Sequence, residues 1–389
     1  MYDLISVGRN GKRAASILRN TTEEVRNKAL DCIAESLRDN TIAILESNRT
    51  DMEIARRSGS RASKMRSLTL TSIQVGELAD LVERTKMMSA PKFKVEKENL
   101  LTDGSLVQEM REPVGVVALV SEASPRMTVE IAAMCIKSGN AFVLSGGQNA
   151  FGTNRVLISI ITSALRDAGL PDFCVQNVDD VSDETTERFI TLDNYFDLLI
   201  PGGDAAFARD IQRRASIAML IIGGGRSHLY IDSAAKEKTA LMLAHSGADT
   251  LLVHRDAALV LAKIKKRLED EGVTVVGCAE VSRLLGVPQA KEDDWQGDNL
   301  VDTVAVKIVG GMEEATEHIA RYSGHTADGI VTDNDHTAEA FSRLVDSALI
   351  CVNAPVAADY IGIGFSSQKN TRGPITLESL TNIKYTVTG

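Results

Sequence analysis

The chain has 389 residues, of which 44% are hydrophobic and 25% charged, and its formal net charge at pH 7 is -10. This length and mix predict two or three domains with buried cores of their own. The acidic balance and an aromatic content of only 4% argue against nucleic-acid binding, because phosphate backbones select basic faces and unpaired bases stack on aromatic rings.

The distribution of apolar residues along the sequence predicts no targeting signal. No apolar run reaches the roughly 18 residues of a membrane span, so no membrane partner is expected. The opening MYDLISVGRNGKRAAS lacks the apolar core and cleavage site of a signal peptide. The five cysteines are scattered without CxxC spacing, which argues against a disulfide framework or a zinc site. A cytoplasmic location is therefore expected.

Helices are predicted first, followed by a hairpin. Apolar residues recur at helical spacing within 12–90, and Asn20 ahead of TTEE is predicted to cap a helix. Residues 92–112 alternate polar and apolar side chains around Asp103-Gly104, which is typical of a β-hairpin. The alternating stretch IKYTV near the end of the chain is expected to extend this hairpin into a sheet that binds another subunit.

Strands and helices alternate from residue 114 onwards. VGVVALV, AFVLSGG, FDLLIPGG and MLIIGGG are predicted strands of a parallel sheet. A second block has the predicted strands HLYID, TLLVH, VTVVGC, DTVAVKIV, DGIVTD and ALICVNA. The predicted class is α/β, with two parallel-sheet lobes and an oligomerisation hairpin. The predicted domains are 1–91 with 113–226 (a cofactor-binding type), 227–352 (a catalytic type), and 92–112 with 353–389 (the oligomerisation flap).

Glycine pairs follow two of the predicted strands. Gly146, Gly147, Gly202 and Gly203 lie where a parallel sheet is expected to end, so they are candidate cofactor-binding residues whose backbone a dinucleotide approaches closely. The alternative is a tight strand-to-helix turn, and no cluster fits G-x-G-x-x-G. Both interpretations stay open at this point.

Histidines and cysteines suggest neither a metal site nor thiolate chemistry. No pair of the six histidines has the i,i+4 spacing with glutamate of a zinc-binding helix, so each is interpreted first as a hydrogen-bonding group. A reactive thiolate needs a helix N-terminus or a cationic neighbour, and none of the five cysteines clearly has either. These patterns predict no metal ligand and no catalytic residue.

Longer segments point to one family. They are REPVGVVALVSEASPRMTVEIAAMCIKSGNAFVLSGGQNA, FDLLIPGGDAAFARDIQ, GGGRSHLYIDSAAKEKTALM, HIARYSGHTADGIVTD and TRGPITLESLTNIKYTVTG. The chain resembles the γ-glutamyl phosphate reductases (glutamate-5-semialdehyde dehydrogenases) of the aldehyde dehydrogenase superfamily. The resemblance implies an aldehyde-dehydrogenase-like fold with an NADP-binding domain, a catalytic domain and an oligomerisation flap. It also implies NADPH-dependent reduction of L-glutamyl 5-phosphate to L-glutamate 5-semialdehyde, in proline biosynthesis, through a cysteine thioester.

The sequence departs from that family where the nucleophile is expected. In the family, the helix after the Y-V-D strand leads into a loop of the type N-A-K-T-x-R-P-x-V-C-N-A and then into the L-L-V-H strand. Here LMLAHSGADTLLVH makes the join directly, about ten residues shorter, and the cysteine is lost with the loop. The nearest replacements, His245 and Ser246, have no evident base in the sequence to activate them.

Other positions that match the family's motifs are also changed. Ser124, Ser145 and Gly202 stand where the family has arginine, and Asp298 stands for the glutamate of W-x-x-E-Y-L-D. Asp298 therefore joins the cofactor-binding candidates. Loss of the arginines at positions 145 and 202 predicts weak NADP binding, because a 2′-phosphate requires a cation, and loss of all three predicts weaker binding of phosphate or carboxylate groups. The candidates for the substrate cleft are Glu122, Ser124, Arg126, His228, His245 and Asn353.

Three functions remain compatible with these observations. The first is an active reductase with relocated groups. The second is a non-catalytic regulator or scaffold that binds a nucleotide, a small acidic metabolite or a hetero-partner. The third is an enzyme with new acyl-phosphate chemistry in the old cleft, such as acyl transfer to an amine. The family's own activity is expected to be weak or absent, and the expected assembly is a homodimer or a dimer-based tetramer.

Overall fold

The chain divides into two compact units. The computed structural model describes residues 2–60, 62–91, 94–122, 124–203, 205–223, 226–245, 247–296, 303–356, 365–366 and 373–389, without the side chains of 62, 63, 66, 205 and 365. Unit 1 comprises Met1–Leu220 with Thr376–Gly389, and unit 2 comprises Ile221–Ile375. The division falls a few residues before the predicted boundary near 226.

Unit 1 opens with five helices, and the longer ones bury mainly apolar residues, with Arg26, Asn48 and Asp51 as buried polar exceptions. The helices are α1 (Leu4–Asn20), α2 (Glu23–Asp39), α3 (Thr41–Arg57), α4 (Ala62–Leu68) and α5 (Ser72–Met87). The N-cap of α2 is Thr22 rather than the predicted Asn20. Thr22 has extended backbone, and its hydroxyl accepts a hydrogen bond from the backbone N–H of Val25, whereas the amide of Asn20 donates back to the carbonyl of Ser16.

A hairpin and a parallel sheet follow. The hairpin consists of β1 (Val95–Leu100) and β2 (Leu106–Pro113), and the sheet consists of β3 (Val116–Ser121), β4 (Ala141–Gly146), β5 (Val175–Asn177) and β6 (Leu198–Gly202). The strand order of the sheet is β5-β4-β3-β6, and all its pairs are parallel. Its helices are α6 (Pro125–Ser138), α7 (Phe151–Asp167), α8 (Asp183–Phe189) and α9 (Ala205–Arg214). Every residue of β3 is buried, as expected of a parallel strand covered on both faces.

One predicted strand of this sheet is wrong. In MLII, only Met219 pairs, through an isolated parallel bridge to Leu199. Leu199 donates to the carbonyl of Ala218 and accepts from the N–H of Leu220, and these two bonds are the extent of the pairing. The run is apolar because Leu220 is buried in the core. An extended segment can bury its side chains in this way without forming a row of hydrogen bonds to a neighbouring strand.

Unit 2 contains a six-stranded parallel sheet of order β12-β11-β7-β8-β10-β9. Its strands are β7 (Arg226–Ile231), β8 (Thr250–His254), β9 (Thr274–Gly277), β10 (Thr303–Val309), β11 (Ser323–Val331) and β12 (Leu349–Val352). Its helices are α10 (Glu237–Leu243), α11 (Leu261–Asp270), α12 (Ala279–Leu285), α13 (Glu292–Gln296), α14 (Met312–Tyr322) and α15 (Asp335–Leu344). A short antiparallel pair, β13 (Phe365–Ser366) with β14 (Gly373–Pro374), follows. All six strands predicted for this block are present, and the predicted fold class is confirmed.

The chain ends in unit 1. Strand β15 (Thr381–Thr388) pairs antiparallel with β2, so β1-β2-β15 forms a three-stranded sheet with β1 and β15 at its edges. Asn140, in the turn before β4, holds this segment: its Oδ1 accepts from the N–H of Gly115 at 2.8 Å, and its Nδ2 donates to the carbonyl of Leu380 at 2.9 Å. Within the described ranges, no helix has both the length and the apolar character to cross a membrane.

Candidate functional site

A cleft of about 660 Å³ opens at the carboxyl ends of β3 and β4 in unit 1. We call it the unit 1 cleft. Open parallel sheets bind ligands at this edge, where the strand order reverses, and here it reverses at β3. The lining residues come from α4, the ends of β3 and β4, α8 and α9, and they include Ser121, Glu122, Ser145, Gly146, Gly147, Gln148, Asn149, Thr186 and Phe207.

The predicted glycines separate into two groups. Gly146 and Gly147 line the cleft, whereas Gly202 and Gly203 do not. A Cβ on Gly147 would lie 2.5 Å from the carbonyl oxygen of Glu122, and one on Gly203 would lie 2.5 Å from the ring of Phe207. Close packing against the protein itself therefore explains why these positions are glycine. Of the four residues, Gly146 and Gly147 are placed to meet a ligand in this cleft.

The charges that line the cleft are paired with one another. Lys64 Nζ lies 2.7 Å from Glu122 Oε1. Arg214 pairs with Glu187 across the cleft wall and with Asp210 Oδ2 on its own helix at 2.6 Å. Two cations, Lys64 and Arg214, thus stand against three lining carboxylates, Glu122, Glu187 and Asp183. The lining side chains carry a net charge of about -1 near neutral pH.

Ser124 and Arg126, two substrate-cleft candidates, lie at the start of α6. The Ser124 hydroxyl accepts from the N–H of Met127 at 3.3 Å and caps the helix. Arg126 is exposed, and its charge acts on the half-buried Glu130 one turn along. Burial raises the pKa of Glu130 from 4.5 to about 7, even though Arg126 and Arg84 both lower it. Neither candidate lines the unit 1 cleft.

His228 lies in a buried hydrogen-bond network of unit 2. Its side chain is fully buried in β7, and Nδ1 lies 3.0 Å from Asp328 Oδ1 on β11. Asp328 also accepts from the hydroxyls of Ser323 at 2.6 Å and Ser347 at 2.5 Å. The His318 ring packs edge-on against His228 at 5.6 Å. The structure places His228 inside the sheet, in the hydrogen-bonding role that was the first interpretation of each histidine.

His245 stands in the shortened join between α10 and β8. Helix α10 ends at Leu243 and β8 begins at Thr250, so six residues, 244–249, make the connection. His245 is half-exposed, and its Nδ1 contacts the Glu271 carboxylate at the end of α11. Sequence reasoning missed Glu271, because the two residues are 26 positions apart and no local pattern connects them. Ser246 lies outside the described residues.

The join turns tightly against the end of β12. Gly247 has φ +97°, in the left-handed region that favours glycine, and a Cβ there would lie 2.8 Å from the carbonyl oxygen of Val356. Ser227 closes the other side: its hydroxyl donates to the Gly247 carbonyl at 3.1 Å and to Asp249 Oδ2 at 3.0 Å. Gly247 and Asp249 of the connection are therefore held in place by neighbouring segments, and its sequence contains no cysteine.

Asn353 and Asp298 complete the set of sequence candidates. Asn353 has φ +51°, and its side-chain amide bonds both backbone groups of Thr332, accepting from N–H at 3.1 Å and donating to C=O at 2.8 Å. Asparagine tolerates this backbone conformation well. Its polar atoms are thus used to tie β12 to β11. Asp298 lies outside the described residues.

Three of the five thiols lie in the buried environment expected of inert cysteines, whereas the prediction is wrong for Cys278, which is partly buried and stands at the N-cap of α12. Cys135, Cys174 and Cys351 are buried, and Cys32 and Cys278 are partly so. Burial raises the pKa of Cys174 to about 12, with Asp172 adding to the effect, and burial raises the pKa of Cys135 further above its usual range. Neither of these thiols ionises near neutral pH, as a nucleophile must.

Comparison with known proteins identifies the family. A sequence profile described as the aldehyde dehydrogenase family matches residues 6–250, more than half of the chain. The chain belongs to this family. Curated γ-glutamyl phosphate reductases from Desulfitobacterium hafniense and Clavibacter michiganensis are 32% and 35% identical to it, over 100% and 97% of the chain and 97% and 92% of their own lengths. The crystal structure of γ-glutamyl phosphate reductase from Thermotoga maritima matches with a TM-score of 0.88 and 31% identity, over 100% of this chain and 98% of that one. Within the family, the chain is a member of the γ-glutamyl phosphate reductase branch.

Proposed function

We propose that the chain is a divergent γ-glutamyl phosphate reductase family protein in which the family reaction is weak or absent. That reaction is the NADPH-dependent reduction of L-glutamyl 5-phosphate to L-glutamate 5-semialdehyde through a cysteine thioester. The observation that carries the proposal is the join between α10 and β8, six residues long and without cysteine. A thioester cannot form there, because no sulfur is present to attack the acyl carbon.

Alignment lengths support a missing segment. The alignment with the Desulfitobacterium hafniense reductase spans 409 positions and covers the whole of this chain of 389 residues, so 20 positions (409 minus 389) have no counterpart here. A deficit of this size leaves room for the loop of about ten residues that the join lacks. Three of the five thiols are poorly placed to replace the nucleophile, since Cys135 and Cys174 are buried with raised pKa values and Cys351 is buried in β12.

The test measures the rate of the family reaction in its reverse direction. Phosphate-dependent reduction of NADP+ by glutamate 5-semialdehyde is measured for this chain beside the Thermotoga maritima reductase. We expect a kcat at least about 10⁴-fold lower, the scale lost when a covalent nucleophile is removed. Activity near that of the control, abolished by one Cys→Ser change, would establish a relocated nucleophile and refute the proposal. A Cys278→Ser variant is the first to make, because that thiol is only partly buried.

One observation favours a second function, acyl transfer from an acyl phosphate without a thioester. His245 contacts Glu271, and an imidazole held by a carboxylate is the arrangement of a general base. Such a base would take the proton from an attacking amine while phosphate leaves the acyl carbon. Release of phosphate from an acyl phosphate that requires an added amine, and is lost in His245→Ala and reduced in Glu271→Gln, would support it. Release unchanged in both variants would exclude it.

We also propose a homodimer or a dimer-based tetramer assembled through the β1-β2-β15 sheet. Both edge strands are exposed along most of their length, and Leu100, Tyr385 and Val387 are 75%, 60% and 65% exposed. Unpaired strand edges are templates for pairing with another chain and need covering. A second copy of this chain presents the same edges and satisfies them by symmetry.

A further inference from the structure

We infer that the unit 1 cleft selects a pyridine dinucleotide with a free 2′-hydroxyl, NAD(H), over one with a 2′-phosphate, NADP(H). The inference rests on the proposed function only in that a nucleotide still enters this cleft. It concerns which nucleotide the residues of this chain accept, and it stands on their charges and contacts.

Both cations that line the cleft are already paired with carboxylates, so neither is available to a phosphate. Lys64 is held by Glu122 at 2.7 Å at the end of β3, and Arg214 is held by Glu187 on α8 and Asp210 on α9. A 2′-phosphate would have to break one of these pairs, leaving a carboxylate beside the incoming dianion. Among the residues that the structure describes around this cleft, the lining is therefore net negative, and it repels the additional charge.

The same carboxylates suit a ribose hydroxyl. A carboxylate accepts hydrogen bonds and donates none, so it discriminates between a 2′-hydroxyl, which donates, and a 2′-phosphate, which does not. Glu122, after β3, and Glu187, on α8, both line the cleft, and the contacts with Lys64 and Arg214 use the Oε1 oxygen of each. Ser145, at the end of β4, adds a small hydroxyl side chain in place of a third cation.

The size and lining of the cleft also suit part of a dinucleotide. The cleft holds about 660 Å³, within the range of small-molecule pockets, and its rim combines the Phe207 ring with the polar Gln148, Asn149 and Thr186. An apolar surface for a base together with polar groups for a sugar fits the adenosine half of a dinucleotide. The cleft therefore fits the unphosphorylated nucleotide and disagrees with the phosphorylated one.

The test is calorimetric titration of the full chain with NAD+ and with NADP+, which reads binding and not turnover. We expect NAD+ to bind about tenfold or more tightly, with a ratio that shrinks when salt is raised from about 0.05 M to about 0.5 M, because the discrimination is electrostatic. Glu187→Gln removes one lining carboxylate and should lower the ratio about three- to tenfold, mainly by improving NADP+ binding. The matched control is Glu53→Gln, which removes the same charge from an exposed pair with Arg57 on α3, outside the cleft.

The outcomes separate cleanly. NADP+ binding as tight as or tighter than NAD+, or a ratio that Glu53→Gln changes as much as Glu187→Gln does, overturns the inference. Absence of binding by both nucleotides overturns it as well, because the cleft then takes no dinucleotide. None of these results bears on the missing thiol: the proposed function fails only if the rate assay finds substantial reductase activity.

Discussion

Glu130 predicts an unusual dependence of stability on pH. It lies half-buried in α6, and burial raises the pKa of its carboxyl from 4.5 to about 7, against the lowering effects of Arg126 and Arg84. A carboxyl with a raised pKa binds its proton more tightly in the folded chain than in the unfolded one. Its contribution to stability is therefore favourable at low pH and is lost as pH rises from about 4.5 through 7.

The magnitude follows from the shift. A displacement from 4.5 to about 7, at about 1.4 kcal/mol per unit, gives a penalty of about 3.5 kcal/mol above pH 7. Partial access of water to the side chain reduces this to about 1–3 kcal/mol. Glu130→Gln keeps the shape and removes the charge, so it should stabilise the protein by this amount at pH 8 and have little effect at pH 5.

Urea unfolding followed by far-UV circular dichroism at pH 5 and pH 8 measures the difference between wild type and Glu130→Gln. The matched control is Glu77→Gln on the exposed face of α5, which removes the same charge from a solvent-exposed position. Arg126→Gln removes a charge that lowers the Glu130 pKa, so it should move the loss of stability to higher pH. A Glu130→Gln variant that is destabilised at pH 8, or whose effect is the same at pH 5, would refute the reasoning.

Three further outcomes are expected. Asp328→Ala leaves His228 and two serine hydroxyls without their buried acceptor, so it should lower the free energy of unfolding by about 3–5 kcal/mol. Urea unfolding followed by the fluorescence of the single tryptophan measures the loss, and a value under about 1 kcal/mol would contradict this. Gly247→Ala should lower the free energy of unfolding by about 1–3 kcal/mol in the same assay, because its φ of +97° and a close carbonyl oxygen disfavour a Cβ. Gly76→Ala in α5 is the control, since a Cβ there meets open space and should be neutral or stabilising. Equal effects of the two changes would refute the explanation by strain. Light scattering at micromolar concentration should find a dimer or tetramer that Tyr385→Lys with Val387→Lys weakens, and a strict monomer would rule out assembly through the edge strands.

The strands were predictable because parallel strands buried on both faces read as continuous apolar runs. Strands β3 and β8 are buried along most or all of their length, and the sequence marks them plainly. The same signal failed at Met219, where the run is apolar and buried but pairs through one residue only. A local sequence pattern indicates burial, but it does not indicate whether a neighbouring strand is available for backbone hydrogen bonding.

The candidate site was less predictable, because its geometry depends on long-range pairs. Gly146 and Gly147 were found from strand endings and do line the cleft. The pair of Lys64 with Glu122 joins residues 58 positions apart, and the contact of His245 with Glu271 joins residues 26 apart. Neither pair has a spacing that a helix or strand produces. The sequence therefore located the edges of the cleft, whereas its charge balance required the fold.

The position of β15 has a consequence for synthesis on the ribosome. Its pairing partner β2 ends at Pro113, and β15 begins at Thr381, so 268 residues must be added before the pair can form. At about 5–20 residues per second, the inner edge of β2 waits roughly 15–50 s without its partner, while the rest of unit 1 is already available to fold. During that interval the nascent chain exposes an unpaired strand edge, and neighbouring chains on the same messenger carry the same edge. Until β15 is made, this edge of β2 is a template on which another strand can pair.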